Sequence, residues 1–271
     1  MDGLRRIFGV DKPMIAMCHL LALPGRPQHD RDGGISRIVD ALAGDVAALQ
    51  GAGVDGLLFC NEHDIPYSKQ VGVEAAAAMA AAVGALRTTL RVPFGVDLLW
   101  DPHAALAVAR ATGASFVREV FTGVFDSDMG LLAPDLGDLA GYRHAIGGDG
   151  IAIFTNITPE GSRSVSGRPV ADRARGAAYA RVDALLISGP QAGVAAETSD
   201  LDEAVAAVGG RLPVLANTGV THATVTDVLS RCDGIIVGTS LKVDGSTWNA
   251  VDPDRARSMV DLVRSVRERA T

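Results

Sequence analysis

The sequence contains two short apolar runs that each end in glycine and hydroxyl residues, VLANTGV at 214–220 and GIIVGTS at 234–240. A buried parallel strand has this composition because both of its faces are covered. Two such strand ends in succession near the C-terminus are typical of the phosphate site that (β/α)8 barrels build after their last two strands. In the alternative interpretation, the glycines only supply the backbone angles of two tight turns.

The rest of the chain repeats a pattern of apolar strands and amphipathic helices. Further strands are predicted at 14–19, 56–60, 92–99, 116–121, 150–155 and 184–189. Helices are predicted at 40–51, 74–86, 104–111, 139–145, 170–181, 200–208, 221–229 and 253–267. Eight alternating units require parallel strands with right-handed crossovers, so we predict one (β/α)8 TIM barrel domain over residues 1–271. A doubly wound sheet is the alternative, but no G-x-G-x-x-G follows the first strand.

Composition limits the classes of function. The chain has 271 residues, of which 48% are hydrophobic, and a net charge of -7. The negative charge argues against nucleic acid or an anionic membrane as the main partner. Three cysteines without C-x-x-C spacing indicate a reducing compartment. With neither a signal peptide nor an apolar run of membrane-spanning length, we expect a cytoplasmic protein, and a homo-oligomer is compatible with the sequence.

Polar residues collect at the predicted C-terminal strand ends, where TIM barrels carry their function. Any exposed rim needs polar groups, which explains Asn61 and Asp101. This general need explains Asp97 and Glu119 poorly, because apolar residues flank both of them within their strands. A carboxyl group in a half-buried site has a raised pKa and can transfer protons. We therefore predict Asp97 and Glu119 as the proton-transfer groups; a purely structural role for Glu119 is the alternative.

Other strand-end residues receive supporting roles. Glu62 and His19 are predicted to orient the substrate or to hold a metal, and Arg118 and Asn156 to bind the substrate. The predicted phosphate site consists of Ser188, Gly189, Asn217, Thr218, Gly219, Gly238, Thr239 and Ser240.

The same strand-end residues bear on metal and Schiff-base chemistry. His19 with Glu62, Asp64 or Asp97 could bind one divalent ion, although the H-x-H pair of metal-dependent barrel hydrolases is absent. No cofactor is therefore predicted as certain. Lys242, one of three lysines, follows the last strand and is predicted to face a phosphate or solvent, which disfavours a Schiff-base aldolase.

Several stretches resemble a known family. MIAMCHLLALPG at 14–25 resembles the M-x-H-L-x-x-L-P-G opening of the BtpA/SgcQ family, and ANTGVTH at 216–222 matches its seventh strand ending. The run DGIIVGTSLKVDGSTWNAVDPDRARSMV at 233–260 is similar to its C-terminal block almost throughout. The stretch GVDGLLFCNEHDIPY at 53–67 resembles its second-strand motif. The resemblance covers nearly the whole chain and implies a barrel of the ribulose-phosphate-binding type.

The chain departs from the family at the rim. Many members carry R-V-N and L-R-N-D where this chain has Arg118-Glu119-Val120 and Leu99-Trp100-Asp101, and A-D-V-H-x-K-H where it has FTNITPE at 154–160. The resemblance therefore implies the anion site but no particular reaction. One branch of the family is associated with photosystem I assembly and another with a sugar-uptake operon.

Two functions follow from this reading. The first is an enzyme that acts on a small phosphorylated sugar or nucleoside-type metabolite by acid–base chemistry, through isomerisation, elimination or glycosidic cleavage. The second is a non-catalytic assembly or stability factor, which would need an exposed apolar patch for a protein partner. The many ionisable groups at the predicted rim favour the enzyme.

Overall fold

In a computed structural model that describes residues 2–270, eight parallel strands form a closed barrel with helices around it. The strands are β1 (Met14–His19), β2 (Gly56–Cys60), β3 (Phe94–Asp97), β4 (Phe116–Glu119), β5 (Phe125–Ser127), β6 (Ala152–Asn156), β7 (Ser162–Ser164), β8 (Ala184–Ser188), β9 (Val214–Asn217) and β10 (Gly234–Val237). The order around the ring is β1-β10-β9-β8-β6-β4-β3-β2, and β5 pairs antiparallel with β7 outside it. The predicted TIM barrel is confirmed.

The helices follow the strands as the sequence pattern predicts. They are α1 (Asp2–Phe8), α2 (Gly34–Ala52), α3 (Val73–Ala85), α4 (Pro102–Thr112), α5 (Leu136–Ala145), α6 (Val170–Tyr179), α7 (Thr198–Val208), α8 (Val225–Arg231) and α9 (Pro253–Ala270). Helix α8 begins later than predicted because residues 221–224 form a hydrogen-bonded turn in which Thr224 Oγ1 accepts the Thr221 N–H. No helix within residues 2–270 is both long and apolar enough to cross a bilayer.

Side chains alternate between the inside and the outside of the barrel along each strand, as period-two geometry requires. In β4, Phe116 belongs to the inner apolar cluster while Val117 packs outward with the helices. The Phe116 ring stacks on Phe154 at a centroid distance of 4.7 Å. Gly95 makes room for it, since a Cβ at that position would lie 2.3 Å from the ring. The lower barrel is thus a packed core.

Helix α1 covers the N-terminal end of this core and was not predicted from the sequence. Its Leu4 and Phe8 are buried in the inner cluster, and the Phe8 ring lies 5.5 Å from Phe116 in an edge-on arrangement. The N-terminal mouth is therefore filled with apolar side chains, and the polar residues are left at the C-terminal mouth.

The segment 122–137, between β4 and α5, contains β5. Its pairing with β7 joins the segment after β4 to the segment after β6. Phe125 is buried against Trp100, Val120 and Leu132 in a small apolar cluster of its own. This outer two-stranded sheet gives the C-terminal mouth a wall on one side.

Candidate active site

A cavity of about 380 Å³ opens at the C-terminal mouth of the barrel. Among the predicted site residues, it is lined by His19, Glu62, Arg118, Asn217, Thr218, Gly219, Gly238 and Thr239. Its size is that of a site for a small metabolite. Eight of the fourteen predicted site residues therefore line one cavity. The six that do not line it are Asp97, Glu119, Asn156, Ser188, Gly189 and Ser240.

Arg118 is the inward-facing residue at the end of β4. Its guanidinium Nε lies 3.2 Å from Asp97 Oδ2, and its Nη2 lies 3.4 Å from Glu160 Oε1. Burial alone would lower the pKa of Arg118, but Asp97 and Glu160 raise it above its usual value, so the side chain remains charged. A buried cation thus joins carboxylates from two sides of the cavity floor.

Asp97 is fully buried beneath this cation. Burial, opposed by Arg118 and reinforced by Glu160 and Glu62, raises the pKa of Asp97 to about 7. Within residues 2–270, neither of its oxygens has a hydrogen-bond partner, although the guanidinium is within ion-pair distance. Asp97 faces Arg118 and does not line the cavity wall, so it can influence a substrate only through its neighbours.

Glu160, for which no role was predicted, connects the side-chain amides of Asn156 and Asn217. It accepts hydrogen bonds from Asn156 Nδ2 at 3.1 Å and from Asn217 Nδ2 at 3.2 Å. Both amides also donate to Ser188 Oγ. Glu160 follows Asn156 by four residues, directly after the end of β6. This spacing was the sequence signal that could have predicted Glu160 as a site residue. The network holds Glu160 at the cavity surface.

Asn217 brings an unused acceptor to the same floor. It lines the cavity and is buried, and its Oδ1 has no hydrogen-bond partner within the described residues. A buried unpaired amide oxygen is costly, so it is a natural partner for a ligand hydroxyl.

Glu62 and His19 lie side by side at the cavity wall. Glu62 Oε2 is 4.0 Å from His19 Nε2 and accepts the Cys60 thiol at 3.6 Å. Burial raises the pKa of Glu62, with Arg118 lowering it in part. Burial and Lys242 lower the pKa of His19, which is therefore neutral at physiological pH. This pair combines a carboxyl group of raised proton affinity with a neutral imidazole.

Glu119 does not line the cavity, in contrast to its predicted position beside the substrate. It follows Arg118 in the strand and so faces outward, where its carboxylate accepts the backbone N–H groups of Trp100 and Val120. Burial and Asp97 raise the pKa of Glu119. In this position it supports the backbone of Trp100, whose φ of 72° is unusual for a large side chain. That geometry corresponds to the structural alternative.

The glycine-rich side of the cavity is formed by the ends of β9 and β10 and by the segment 189–197 that follows β8. A Cβ on Gly219 would lie 2.1 Å from Ala195 N, and one on Gly189 would lie 2.0 Å from Val194 O. The backbones are thus in direct contact, and only glycine permits it. Gly189 itself is packed under Val194 and does not line the cavity.

The hydroxyl groups on this side differ in availability. Ser240 Oγ donates to Val220 O at 2.6 Å and lies outside the cavity lining, so its predicted contact with phosphate is not made from this position. Thr218 Oγ1 accepts the Gly189 N–H and donates to Asn217 O. Thr239 and Thr247 share one hydrogen bond at 2.7 Å, which leaves one hydroxyl hydrogen of the pair for a ligand.

Lys242 and Asp64 lie elsewhere than predicted. Lys242 is buried and its Nζ lies 2.7 Å from Asp45 Oδ2, so it faces neither phosphate nor solvent. Asp64 accepts the Leu23 N–H and the Asn61 amide. Among residues 2–270, no three His, Cys, Asp or Glu side chains converge as metal ligands. The predicted possibility of a divalent ion bound by His19 with Glu62, Asp64 or Asp97 is therefore not supported by a cluster of three ligands among these residues.

The opposite side of the cavity is mostly apolar, with the carboxylate of Asp128 beside Met129. Tyr67, Leu99, Trp100 and Met129 line it, and the Tyr67 hydroxyl donates to Glu62 O at 2.9 Å. These residues follow β2, β3 and β4, which are adjacent in the ring. The mouth therefore has a charged floor, a glycine-rich side and an aromatic side.

The fold and this mouth define a TIM-barrel protein with an acid-rich cavity open at the C-terminal end of the barrel. The chain belongs to the BtpA family, whose family model matches residues 10–265. It is 38% identical to SgcQ, an sgc region protein of Escherichia coli K12, over 98% of this chain and 100% of that protein. It is 30% identical to the photosystem I biogenesis protein BtpA of Synechocystis, over 96% of this chain and 91% of that protein. The resemblance found in the sequence is confirmed.

Solved structures show the same fold at low sequence identity. Phosphoribosyl anthranilate isomerase from Thermus thermophilus has a TM-score of 0.57 at 14% identity, covering 94% of this chain and 100% of that one. Thiamine phosphate pyrophosphorylase from Pyrococcus furiosus has a TM-score of 0.57 at 16% identity, covering 94% and 96%. At this identity the likeness concerns the fold alone.

Proposed function

We propose that the protein is an enzyme that acts on a small phosphorylated sugar or nucleoside-type metabolite by acid–base chemistry. The observation that carries this proposal is the presence in one cavity of a buried carboxyl group of raised pKa, Glu62, and a glycine-rich side at Gly219 and Gly238. Perturbed carboxyl groups in a cavity are a mark of catalytic sites.

The phosphate group would bind at the glycine-rich side. Gly219 and Gly238 carry no side chain between the backbone and the cavity, and the Thr239–Thr247 pair has one hydroxyl hydrogen to donate. Among the described residues that line the cavity, Arg118 is the one lysine or arginine, and it is already paired with two carboxylates. Backbone N–H groups and hydroxyls would therefore hold the phosphate, with little help from ion pairing.

The sugar would lie on the charged floor. Arg118 and Glu160 can donate to and accept from hydroxyl groups, and Asn217 Oδ1 offers a free acceptor. Glu62 would transfer the proton, because its raised pKa lies closer to neutrality than that of an ordinary carboxyl group. Neutral His19 would orient the substrate or the attacking group beside it. Isomerisation, elimination and glycosidic cleavage all use such a pair.

The names of the structural neighbours support this proposal, whereas the name of one relative favours the second candidate function. Two of the structural neighbours are named for phosphate-bearing compounds, which supports the proposal by analogy of fold only. The relative named for photosystem I biogenesis favours the second candidate, an assembly factor. An apolar groove that includes exposed Val73 and Leu131, outside the barrel mouth, is a surface on which such a partner could bind.

The test is turnover by the purified protein. A panel of phosphorylated sugars and nucleosides is incubated with the wild type, Glu62→Gln and Asp261→Asn, and conversion is followed by mass spectrometry. Asp261 is an exposed carboxylate on α9 and serves as the control. We expect one compound to be converted by the wild type and control, and about 100-fold more slowly by Glu62→Gln. Conversion that is unaffected by Glu62→Gln, or no conversion combined with a stoichiometric protein partner, contradicts the proposal.

A further inference from the structure

The aromatic side of the cavity lies directly across from the glycine-rich side. In the ring of eight strands, three strands lie between β3 and β9 in both directions, so their C-terminal ends face each other. Leu99 and Trp100 follow β3, and Thr218 and Gly219 follow β9. A ligand that fills the cavity must therefore place different chemistry at its two ends.

Apolar surface dominates the β3 side. The ring of Tyr67, the side chains of Leu99 and Met129 and the indole of Trp100 all line the cavity there. A sugar phosphate alone has little apolar surface to cover them, and uncovered apolar walls favour a ligand that removes them from water. Flat aromatic rings bind such walls through stacking and edge contacts.

We propose that this wall is a subsite for a planar heteroaromatic ring, and that the substrate is a nucleoside-type phosphate with the ring at Trp100 and the phosphate at Gly219. This inference rests on the proposed function and narrows its substrate class. The sugar then lies between the two ends, over Arg118 and beside Glu62, where the bond from sugar to ring is also located.

The backbone that carries Trp100 is held in place by buried acceptors. The Trp100 N–H donates to Glu119, and the preceding Leu99 N–H donates to Asn61 Oδ1 at 2.8 Å. Asp101 accepts the N–H groups of Ala104 and Val71. A tryptophan at φ 72° persists only where its surroundings enforce it, and such strain is concentrated at binding sites. Glu119 is thus a positioning residue for the ring-binding wall.

Binding by ribose 5-phosphate and by a set of ribonucleoside 5′-monophosphates tests the subsite. Isothermal titration should show at least one monophosphate binding about tenfold or more tightly than ribose 5-phosphate, which is the gain expected from stacking one base. Trp100→Leu should remove this difference, Trp100→Phe should keep most of it, and both variants should bind ribose 5-phosphate as the wild type does. Glu119→Gln should weaken the monophosphate and leave ribose 5-phosphate unchanged, whereas general destabilisation would weaken both.

Tryptophan fluorescence tests the same subsite without a substitution in the apolar side of the cavity. The chain has two tryptophans, Trp100 and Trp248. In Trp248→Phe, the emission of Trp100 should change on addition of the tight monophosphate and not on addition of ribose 5-phosphate. If ribose 5-phosphate binds as tightly as every monophosphate, the ring subsite is wrong while the proposed function stands. If neither class binds, the ring subsite is wrong, and the proposed function is wrong as well when no compound of the panel is converted.

Discussion

Arg118 and Asp97 form a buried ion pair, with guanidinium Nε 3.2 Å from carboxylate Oδ2, beneath the floor of the cavity. Glu160 and Glu62 surround the same cation, so it is shared among more carboxylates than it can neutralise. One consequence is that the floor retains a proton to unusually high pH, which affects both stability and ligand binding.

The stability of the protein should depend on pH through Asp97. In the unfolded chain this group ionises near 3.8, and in the folded protein burial raises its pKa to about 7. Between these values the folded state holds one more proton than the unfolded state, so the free energy of unfolding falls as pH rises, by at most about 4 kcal/mol. Asp97→Asn should flatten this dependence, as measured by urea denaturation at pH 5 and pH 8.

The matched control for that experiment is Asp261→Asn on the outer surface. It should reproduce the pH dependence of the wild type, because its carboxylate is exposed. Other buried groups will leave a residual pH dependence in Asp97→Asn, because the pKa values of Glu62 and Glu119 are also raised and that of His19 is lowered. Identical slopes in the wild type and Asp97→Asn would show that Asp97 is ionised in the folded state throughout this range.

Replacement of Gly219 should displace the segment 189–197. Gly219 has a φ of 64°, and an added Cβ would lie 2.1 Å from the backbone of Ala195. Gly209→Ala is the matched control, with a φ of 55° and no atom within 4 Å of its Cβ. Both variants carry the cost of a left-handed residue, about 1–2 kcal/mol. Only Gly219→Ala should also lose sugar-phosphate affinity, by about tenfold or more in titration; equal affinities for the two variants would argue against phosphate binding here.

Lys242 should be essential for stability. Its Nζ lies 2.7 Å from Asp45, which also accepts the Val251 N–H, and both side chains are buried. Lys242→Met would leave the carboxylate buried without its cation, at a cost of about 3–5 kcal/mol in the free energy of unfolding. Adding Asp45→Asn should recover part of the loss. Exposed Lys69→Met should change stability by less than about 0.5 kcal/mol, and a similar small effect at Lys242 would contradict the ion pair.

The thiols should be inert in the folded protein. Cys18, Cys60 and Cys232 are buried and unpaired, and burial raises the pKa of each thiol. The thiolate is the reactive form, so a disulfide reagent at pH 8 should react only slowly with the native protein. After denaturation in urea, the same reagent should react rapidly with all three thiols. Rapid labelling of a native thiol would show that one of these positions is accessible.

Much of the fold could be predicted from local pattern, because each barrel strand is a short apolar run that stops at a polar or glycine residue. Helix α1, which covers the N-terminal end of the barrel, was missed because it has only seven residues. Its two buried apolar side chains are too few to show a helical period. The two-stranded sheet of β5 and β7 was missed because strands of three residues are too short to show alternation.

The site was harder to predict because it depends on register and on distant partners. Arg118 and Glu119 both end β4, and only the inward or outward phase of the strand decides which one faces the cavity. Lys242 meets Asp45 across 197 positions of sequence, which no local pattern reports. Glu160 lies between β6 and β7 and is held by a hydrogen bond from Asn217, which ends β9.

The most direct measurement of the central claim is a crystal structure of the protein soaked with the phosphorylated compound that binds most tightly in titration. The account predicts density for the phosphate within hydrogen-bonding distance of the backbone at Gly219 and Thr239, and the sugar carbons beside Glu62. Phosphate density at another surface of the barrel, with the mouth empty at saturating ligand, would contradict it.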